Sequence, residues 1–143
     1  MAKRFTDSLK WNDDWYISLT NEYKVVWQWL LDNCNHAGIC KRSMALLNLM
    51  CKTNIKEDEM IKVMDGRIIK IENNWFIPKY LKFQYSTLLS EKPAVISVVK
   101  ELFSANCIKL IPESFGNDYK IIGKSFEHHL RIVKDKDKDK DNR

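Results

Sequence analysis

The sequence predicts a mainly α domain with a small β-hairpin, plus an extra C-terminal helix and a disordered charged tail. Apolar residues recur at helical spacing in four separate segments before residue 107. Two β-prone runs, 67–72 and 75–78, are joined by Asn73-Asn74, and asparagine tolerates the left-handed backbone that tight hairpin turns need. The segment 134–143 is a Lys-Asp repeat with no apolar side chain to bury.

The first helix is predicted to begin at Thr20 or Asn21, since both are good N-cap residues. Asn35 and Gly38 can adopt the positive φ values that end a helix. One face of the helix is continuously apolar and carries Tyr23, Val26, Trp27, Leu30, Leu31 and Cys34. We therefore expect this helix to form the centre of the core, with Trp27 and Leu30 buried.

The second helix follows a short extended segment, residues 38–41, and Ser43 is its predicted N-cap. For the third helix, Asn54 and Glu57 have the spacing of a capping box, and Gly66 is the predicted stop. We expect the apolar residues of both helices to face the core: Leu46, Leu47, Met50, Met60, Ile61 and Met64.

Beyond the hairpin, Pro78 should end strand pairing because proline has no N–H to donate. Residues 79–89 are compatible with either a strand or a helix. A fourth helix is predicted with Pro93 in its first turn, and residues 118–126 include a candidate strand.

The predicted order of helix, short strand, helix, turn, helix and hairpin is that of a winged helix-turn-helix. The turn, residues 51–54, has about the length that this motif expects. We therefore divide the chain into a winged-helix domain with a flanking helix (1–107), a poorly defined extension (108–133) and a Lys-Asp low-complexity tail (134–143).

The net charge of +5 and the pI near 9.0 are compatible with a polyanionic partner without requiring one. The basic residues are spread along the chain, so no basic block stands out. The N-terminus lacks the apolar segment of a signal peptide, and no apolar run reaches the length of a membrane span. We expect a cytoplasmic protein with reduced thiols and no membrane partner.

The sequence offers little catalytic chemistry. Cys34, His36, Cys40 and Cys51 lie close enough in sequence to supply four zinc ligands, but their spacing matches no standard pattern, and buried thiols are the favoured interpretation. The triplet 123–125 resembles the end of a phosphate-binding loop, but Asp118 replaces the glycine that such a loop requires. His128 and His129 are interpreted as surface residues. We expect no enzyme activity, no metal and no cofactor.

Residues 2–11, 23–39 and 64–85, with "KP" and "SVVKEL" in the fourth helix, resemble the N-terminal winged-helix domain of phage and prophage replication proteins. This is the replisome-organiser or DnaD-like group, and the resemblance covers residues 1–107. It implies a role in DNA replication initiation, with DNA and other replication proteins such as a helicase loader as partners. The Lys-Asp repeat is similar to the charged linker that such proteins place before a C-terminal region.

Basic residues and one tyrosine around the predicted second and third helices and hairpin are candidates for nucleic-acid contact: Lys41, Arg42, Lys52, Lys62, Arg67, Lys70, Lys79, Tyr80 and Lys82. The third helix, by contrast, opens with Glu57, Asp58 and Glu59. These acids suit the helix dipole, and Asp58 is expected to pair with Lys62, but carboxylates there would repel phosphate.

Two hypotheses therefore remain. One is a DNA-binding module that uses its hairpin and flanking lysines more than its third helix. The other is an oligomerisation or protein-docking winged-helix scaffold with little direct DNA contact. The basic hairpin favours the first, and the acidic third helix favours the second.

Overall fold

The computed structural model describes residues 8–85, 87–111 and 125–141. This part of the chain is mainly helical and contains a small three-stranded antiparallel sheet. The chain divides into two compact units, Met1–Gln84 and Tyr85–Arg143. The fourth predicted helix, which the sequence grouped with the winged-helix domain, lies in the second unit.

The first unit begins with a 3-10 turn, Ser8–Asn12, and a short helix α1, Asp14–Ser18. Neither was predicted from the sequence. Helix α2, Asn21–Asn33, follows, and the Thr20 side chain caps it by accepting a hydrogen bond from the Tyr23 backbone N–H at 3.2 Å. The predicted apolar face is buried, with Trp27 7% exposed and Leu30 fully buried. The prediction that α2 is central to the core is confirmed.

Three short strands and two helices make up the next part of the chain. Strand β1 is Ile39–Lys41, helix α3 is Met44–Cys51 and helix α4 is Glu57–Met64. Strands β2, Ile69–Ile71, and β3, Asn74–Phe76, form a hairpin, and β3 is the central strand because it also pairs with β1. Helix α5, Pro78–Gln84, shows that the first half of the ambiguous segment 79–89 is helical. Pro78 fits the first turn of that helix, where no N–H donor is needed.

Gly38 is required where β1 begins. Its φ is +79°, and a Cβ atom at this position would lie 2.8 Å from the Ile77 carbonyl oxygen. The close approach lets the Ile77 N–H donate to the Gly38 carbonyl at 2.8 Å, which extends the contact between β1 and the end of β3. A larger residue would force these two segments apart.

The capping box predicted for α4 does not form. The N-cap is Lys56, without a side-chain hydrogen bond, and the Glu57 carboxylate turns instead towards groups distant in sequence. Asn48 organises the turn between α3 and α4. Its Oδ1 accepts from the Ile55 N–H at 3.0 Å and from the Thr53 hydroxyl at 2.7 Å, while its Nδ2 donates to the Ile55 carbonyl at 2.9 Å.

The prediction that Leu46 and Met50 face the core is wrong. Ser43 caps α3 as predicted, and Leu47 is fully buried, but Leu46 is 47% exposed and Met50 is 61% exposed. Leu49, at 73%, is more exposed still. The reason is geometric: α3 packs against α2 through the face that carries Leu47, and Leu46, Leu49 and Met50 lie outside that face. Met44 and Cys51, by contrast, are partly buried against the core.

The hairpin turn is displaced by one residue from the prediction. Ile71 pairs with Asn74, so the two turn residues are Glu72 and Asn73. Glu72 carries the left-handed backbone conformation, with φ of 51°. The backbone carbonyl of Asn73 accepts a hydrogen bond from the Arg42 N–H at 2.9 Å, and this fixes the turn against the start of α3.

The second unit contains helix α6, Pro93–Ser104, a 3-10 turn, Ile108–Leu110, and helix α7, Phe126–Asp141. His129 is fully buried, so its interpretation as a surface residue is wrong. Its Nε2 lies 2.7 Å from the Leu88 carbonyl oxygen, which can only accept, so Nε2 carries the proton. The Phe126 and His129 rings stack with centroids 6.2 Å apart.

Helix α7 continues through most of the Lys-Asp repeat, to Asp141, where the sequence predicted a disordered tail. The helix begins on buried residues, so the repeat extends an existing helix without a new nucleation step. The candidate strand at 118–126 falls mostly on residues 112–124, which lie outside the described part of the chain.

Candidate nucleic-acid interface

The Glu57 carboxylate is the meeting point of three elements. Arg42 binds it with two hydrogen bonds, from Nε to Oε2 and from Nη2 to Oε1, each 2.8 Å long. Lys70, on β2, places its Nζ 3.1 Å from Oε1, and the indole Nε1 of Trp75, on β3, donates to Oε2 at 3.0 Å. One side chain at the start of α4 thus joins the β1–α3 junction to both strands of the hairpin.

This arrangement changes the roles of two candidate DNA ligands. Arg42 is held in a bidentate ion pair, and it also donates to the Glu72 carbonyl at 2.5 Å, so it has a structural function. Lys70 is partly neutralised by Glu57, although 47% of its side chain remains exposed. Sequence reasoning had assigned Glu57 to a local capping role and had treated both cations as surface charges.

The pKa of Glu57 reflects these contacts. The hydrogen bonds from Arg42, supported by those from Lys70 and Trp75, lower the pKa of the Glu57 carboxyl from 4.5 to about 2, although partial burial acts in the opposite direction. Glu57 therefore carries its negative charge across the whole physiological pH range.

Lys41 and Lys70 lie on opposite faces of the sheet. Lys41 is paired with Asn74, whereas Lys70 is paired with Trp75, the next residue along β3. Side chains of directly paired residues share a face and successive residues alternate, so the two lysines point in opposite directions. The sheet therefore does not present Lys41 and Lys70 as one continuous basic stripe.

An aromatic pocket lies in the first unit, bordered by α1, α2 and α5, with a cavity volume of about 160 Å³. We use the name aromatic pocket for this cavity, whose aromatic lining residues are Trp15, Tyr16, Trp27, Tyr80 and Phe83. Polar and charged side chains also line it, and these are Lys10, Asp13, Gln28, Asp32, Arg67, Lys79 and Gln84. The pocket brings together Arg67, Lys79 and Tyr80, three of the predicted candidates.

The side chain of Trp15 is fixed from several sides. Its indole Nε1 donates to the Val63 carbonyl at 3.1 Å, and its ring meets the Trp27 ring edge-on, with centroids 5.3 Å apart. The guanidinium carbon of Arg67 lies 3.8 Å from the Trp15 ring centroid, which is a cation–π contact. Arg67 is thereby held at the pocket with its position already set.

Two further lysines stand over aromatic rings near the pocket. The Nζ of Lys10 is 5.8 Å from the Tyr16 ring centroid and donates to Gln28 Oε1 at 2.5 Å. Lys24 is 5.6 Å from the centroid of Trp11, a residue that is 58% exposed. Sequence reasoning missed Lys10, Trp15 and Phe83. The interleaving of basic and aromatic residues in "PKYLKFQ", residues 78–84, was the signal that could have extended the site.

The remaining candidates are dispersed. Tyr80 is 7% exposed, so its ring belongs to the core and the pocket wall and is not an outer stacking surface. Lys52 ends α3 in the left-handed conformation, Lys62 lies in the last turn of α4, and Lys79 and Lys82 lie on α5. These four lysines are exposed.

Asp58 and Glu59 are exposed on the first turn of α4. The expected ion pair between Asp58 and Lys62 does not form within residues 8–85. Because these two acids are exposed, the first turn of α4 presents a negative surface.

Tyr23 lies near this turn. Burial, with the Glu59 carboxylate close by, raises the pKa of Tyr23 to about 12, so this phenol stays neutral.

In the described ranges, no group of three or more His, Cys, Asp or Glu side chains is arranged to hold a metal ion. Burial raises the pKa of the Cys40 and Cys51 thiols. None of the helices in the described ranges is both long enough and apolar enough to cross a bilayer.

Comparisons with protein-family models, with curated proteins and with solved structures find no match for this chain.

Proposed function

We propose that this protein is a winged-helix DNA-binding module of the kind found in phage-type replication initiation proteins, and that it acts in the cytoplasm without catalysing a reaction. The observation that carries the proposal is the order of elements in the first unit: α2, β1, α3, a turn, α4 and the β2–β3 hairpin. The pairing of β1 with β3 adds support, because it closes the three-stranded sheet beside the helices.

In this proposal, exposed lysines outside the first turn of α4 supply the phosphate contacts. The acids of that turn would repel the DNA backbone, so in this proposal α4 is not the main element that contacts base edges. Lys41, Lys62 and Lys82 are exposed and lie on β1, α4 and α5 respectively. Arg42 and Tyr80 are withdrawn from the set of direct DNA ligands, because one is in an ion pair and the other is buried.

The salt dependence of duplex binding tests this function. Replacing Lys41, Lys62 and Lys82 together with alanine should reduce the slope of log affinity against log salt by about 0.9 for each phosphate that is no longer neutralised. The matched control replaces Lys92, Lys100 and Lys109, three exposed lysines of the second unit, and removes the same total charge. Fluorescence anisotropy with a labelled duplex over a range of salt concentrations measures the slopes of the lysine variant and of its control.

Removing the exposed acids of α4 should change DNA affinity in the opposite direction. Replacing Asp58 and Glu59 with alanine should increase non-specific affinity, most strongly at low salt where screening is weak. Equal slopes for the wild-type protein, the lysine variant and its control would contradict phosphate contact by these lysines. A specific loss of sequence preference in the acid variant would show instead that α4 reads bases.

A second candidate function is protein docking or self-association. It is favoured by the α3 apolar face, which we define as Leu46, Leu49 and Met50. These residues follow the i, i+3, i+4 spacing of one helix face, and each is at least 47% exposed. Such a face suits a helix of a second copy or of another replication protein such as a helicase loader.

Analytical ultracentrifugation distinguishes this candidate. If the α3 apolar face joins two copies, sedimentation should show a dimer that dissociates on dilution, and Leu49→Glu should shift the protein to monomer because it places a charge in the apolar contact. Lys41→Glu, a charge change at an exposed residue of β1 and outside α3, is the control. A wild-type protein that is monomeric at high concentration would exclude self-association through α3.

A further inference from the structure

We infer that the aromatic pocket binds a nucleotide, with its base inside the pocket and its phosphate at the basic rim, and that the nucleotide belongs to single-stranded DNA. The choice of DNA as the source rests on the proposed function. The pocket itself is defined by contacts within the first unit and does not depend on that function.

The size of the cavity fits one planar ring system. Its volume of about 160 Å³ is close to that of an engineered protein cavity of about 150 Å³ that accepts benzene. The aromatic pocket is also open at its rim, where Phe83 is 46% exposed. A ring can therefore enter from solvent while the attached sugar and phosphate remain outside.

The walls of the pocket supply the chemistry that a base needs. Aromatic rings stack on bases whatever their sequence, because every base has a π face. Trp15 and Trp27 are already fixed edge-on to each other, so little ordering is needed when the ligand binds. Gln28 and Asp32 line the same cavity as a hydrogen-bonded pair, with Gln28 Nε2 3.5 Å from Asp32 Oδ1, and place amide and carboxylate groups on its wall.

The rim of the pocket supplies the charge that a phosphate needs. Lys10, Arg67 and Lys79 line the pocket together with two carboxylates, Asp13 and Asp32, so cations are in excess. Arg67 is held against Trp15 at 3.8 Å, and a guanidinium fixed in this way presents its N–H donors in a set direction. Asp13 already accepts a hydrogen bond from the Trp15 backbone N–H at 3.0 Å.

The shape of the site favours a single strand over a duplex. In duplex DNA each base is paired and stacked, and it could enter the pocket only after being flipped out at a cost in unstacking energy. A base in a single strand can enter the pocket at little cost in unstacking energy. The pocket should therefore discriminate between strand states through base insertion, while the lysines proposed for phosphate contact bind either form.

The test replaces the aromatic side chain at the rim. Phe83→Ala should weaken binding of a labelled fifteen-nucleotide deoxythymidine strand by about tenfold, because alanine offers no ring on which a base can stack. Its affinity for a duplex of the same length, at the same salt, should be unchanged. Phe83→Tyr keeps the ring and should retain the wild-type affinity. Val25→Ala, a truncation at a residue of α2 that is 52% exposed and outside both the pocket and the α3 apolar face, is the control.

Thymidine monophosphate distinguishes the two sources of nucleotide, with quenching of tryptophan fluorescence as the signal. Equal affinity of wild type and Phe83→Ala for the single strand overturns the inference, and so does an equal loss for single strand and duplex. Quenching by the mononucleotide that depends on Phe83, without binding of the strand, overturns the assignment to DNA. Duplex binding that fails the salt test while Phe83-dependent strand binding persists counts against the proposed function and leaves the pocket in place.

Discussion

Replacing Trp27 with alanine is expected to lower the free energy of unfolding by about 3–5 kcal/mol, the range for truncating a large buried aromatic side chain. Trp27 is 7% exposed and lies on α2, at the centre of the core of the first unit. Its ring meets Trp15 edge-on at 5.3 Å, so the truncation also removes the support of the α1 helix. Urea denaturation followed by circular dichroism measures the change.

The control for Trp27→Ala is Val25→Ala, which truncates an exposed side chain of the same helix (52% exposed) and should change stability by about 0.5 kcal/mol or less. An unchanged urea midpoint for Trp27→Ala would contradict the central position of α2. Trp27 also lines the aromatic pocket, so a loss of ligand binding in Trp27→Ala could come from unfolding. Phe83 is 46% exposed, so its truncation tests ligand binding with less effect on folding.

Replacing Glu57 with glutamine should lower the free energy of unfolding by about 2 kcal/mol near neutral pH. The change leaves the Arg42 guanidinium and the Lys70 amine without their counter-charge, and it weakens the hydrogen bond from Trp75. The carboxylate is partly exposed, 17% by side-chain area, and solvent screening limits the loss to this size. Asp58→Asn, in the same helical turn but exposed, is the control.

The effect of Glu57 should depend on pH in a defined direction. Its pKa is about 2 in the folded protein and 4.5 without these contacts, so the folded state favours the ionised form. The stabilisation is fully present above pH 4.5 and disappears as the pH falls towards 2. The stability difference between wild type and Glu57→Gln should shrink over that interval. A difference that stays constant from about pH 7 to about pH 2.5 would contradict the charge-based account.

Local patterns predicted α2 well because its cap and its apolar face lie within one continuous segment. Thr20 needs only the Tyr23 N–H three residues away, and the burial of Trp27 and Leu30 follows from the periodicity. The apolar pattern of α3 was equally regular, yet it could not show that Leu46 and Met50 would be exposed to solvent. Whether an apolar face is covered depends on the tertiary arrangement of the other elements.

The role of Glu57 could not be predicted because its partners are distant in sequence. A capping box with Asn54 needs three residues, whereas Arg42 and Trp75 lie 15 and 18 residues away. The charge-assisted hydrogen bonds displace the weaker local contact. The aromatic pocket is built from residues between Lys10 and Gln84, so its existence depends on the whole first unit being folded.

The contacts of Glu57 also constrain how the sequence can change over evolutionary time. A substitution at Arg42 alone would leave the Glu57 carboxylate with Lys70 as its counter-charge, and a substitution at Glu57 alone would leave the guanidinium without its carboxylate partner. A single substitution at either position is therefore expected to be destabilising unless the other position changes too. Among homologues that diverge from this chain, positions 42 and 57 should covary as a charged pair, and a lineage that replaces both with apolar residues should also replace Trp75 with a residue that lacks the indole N–H.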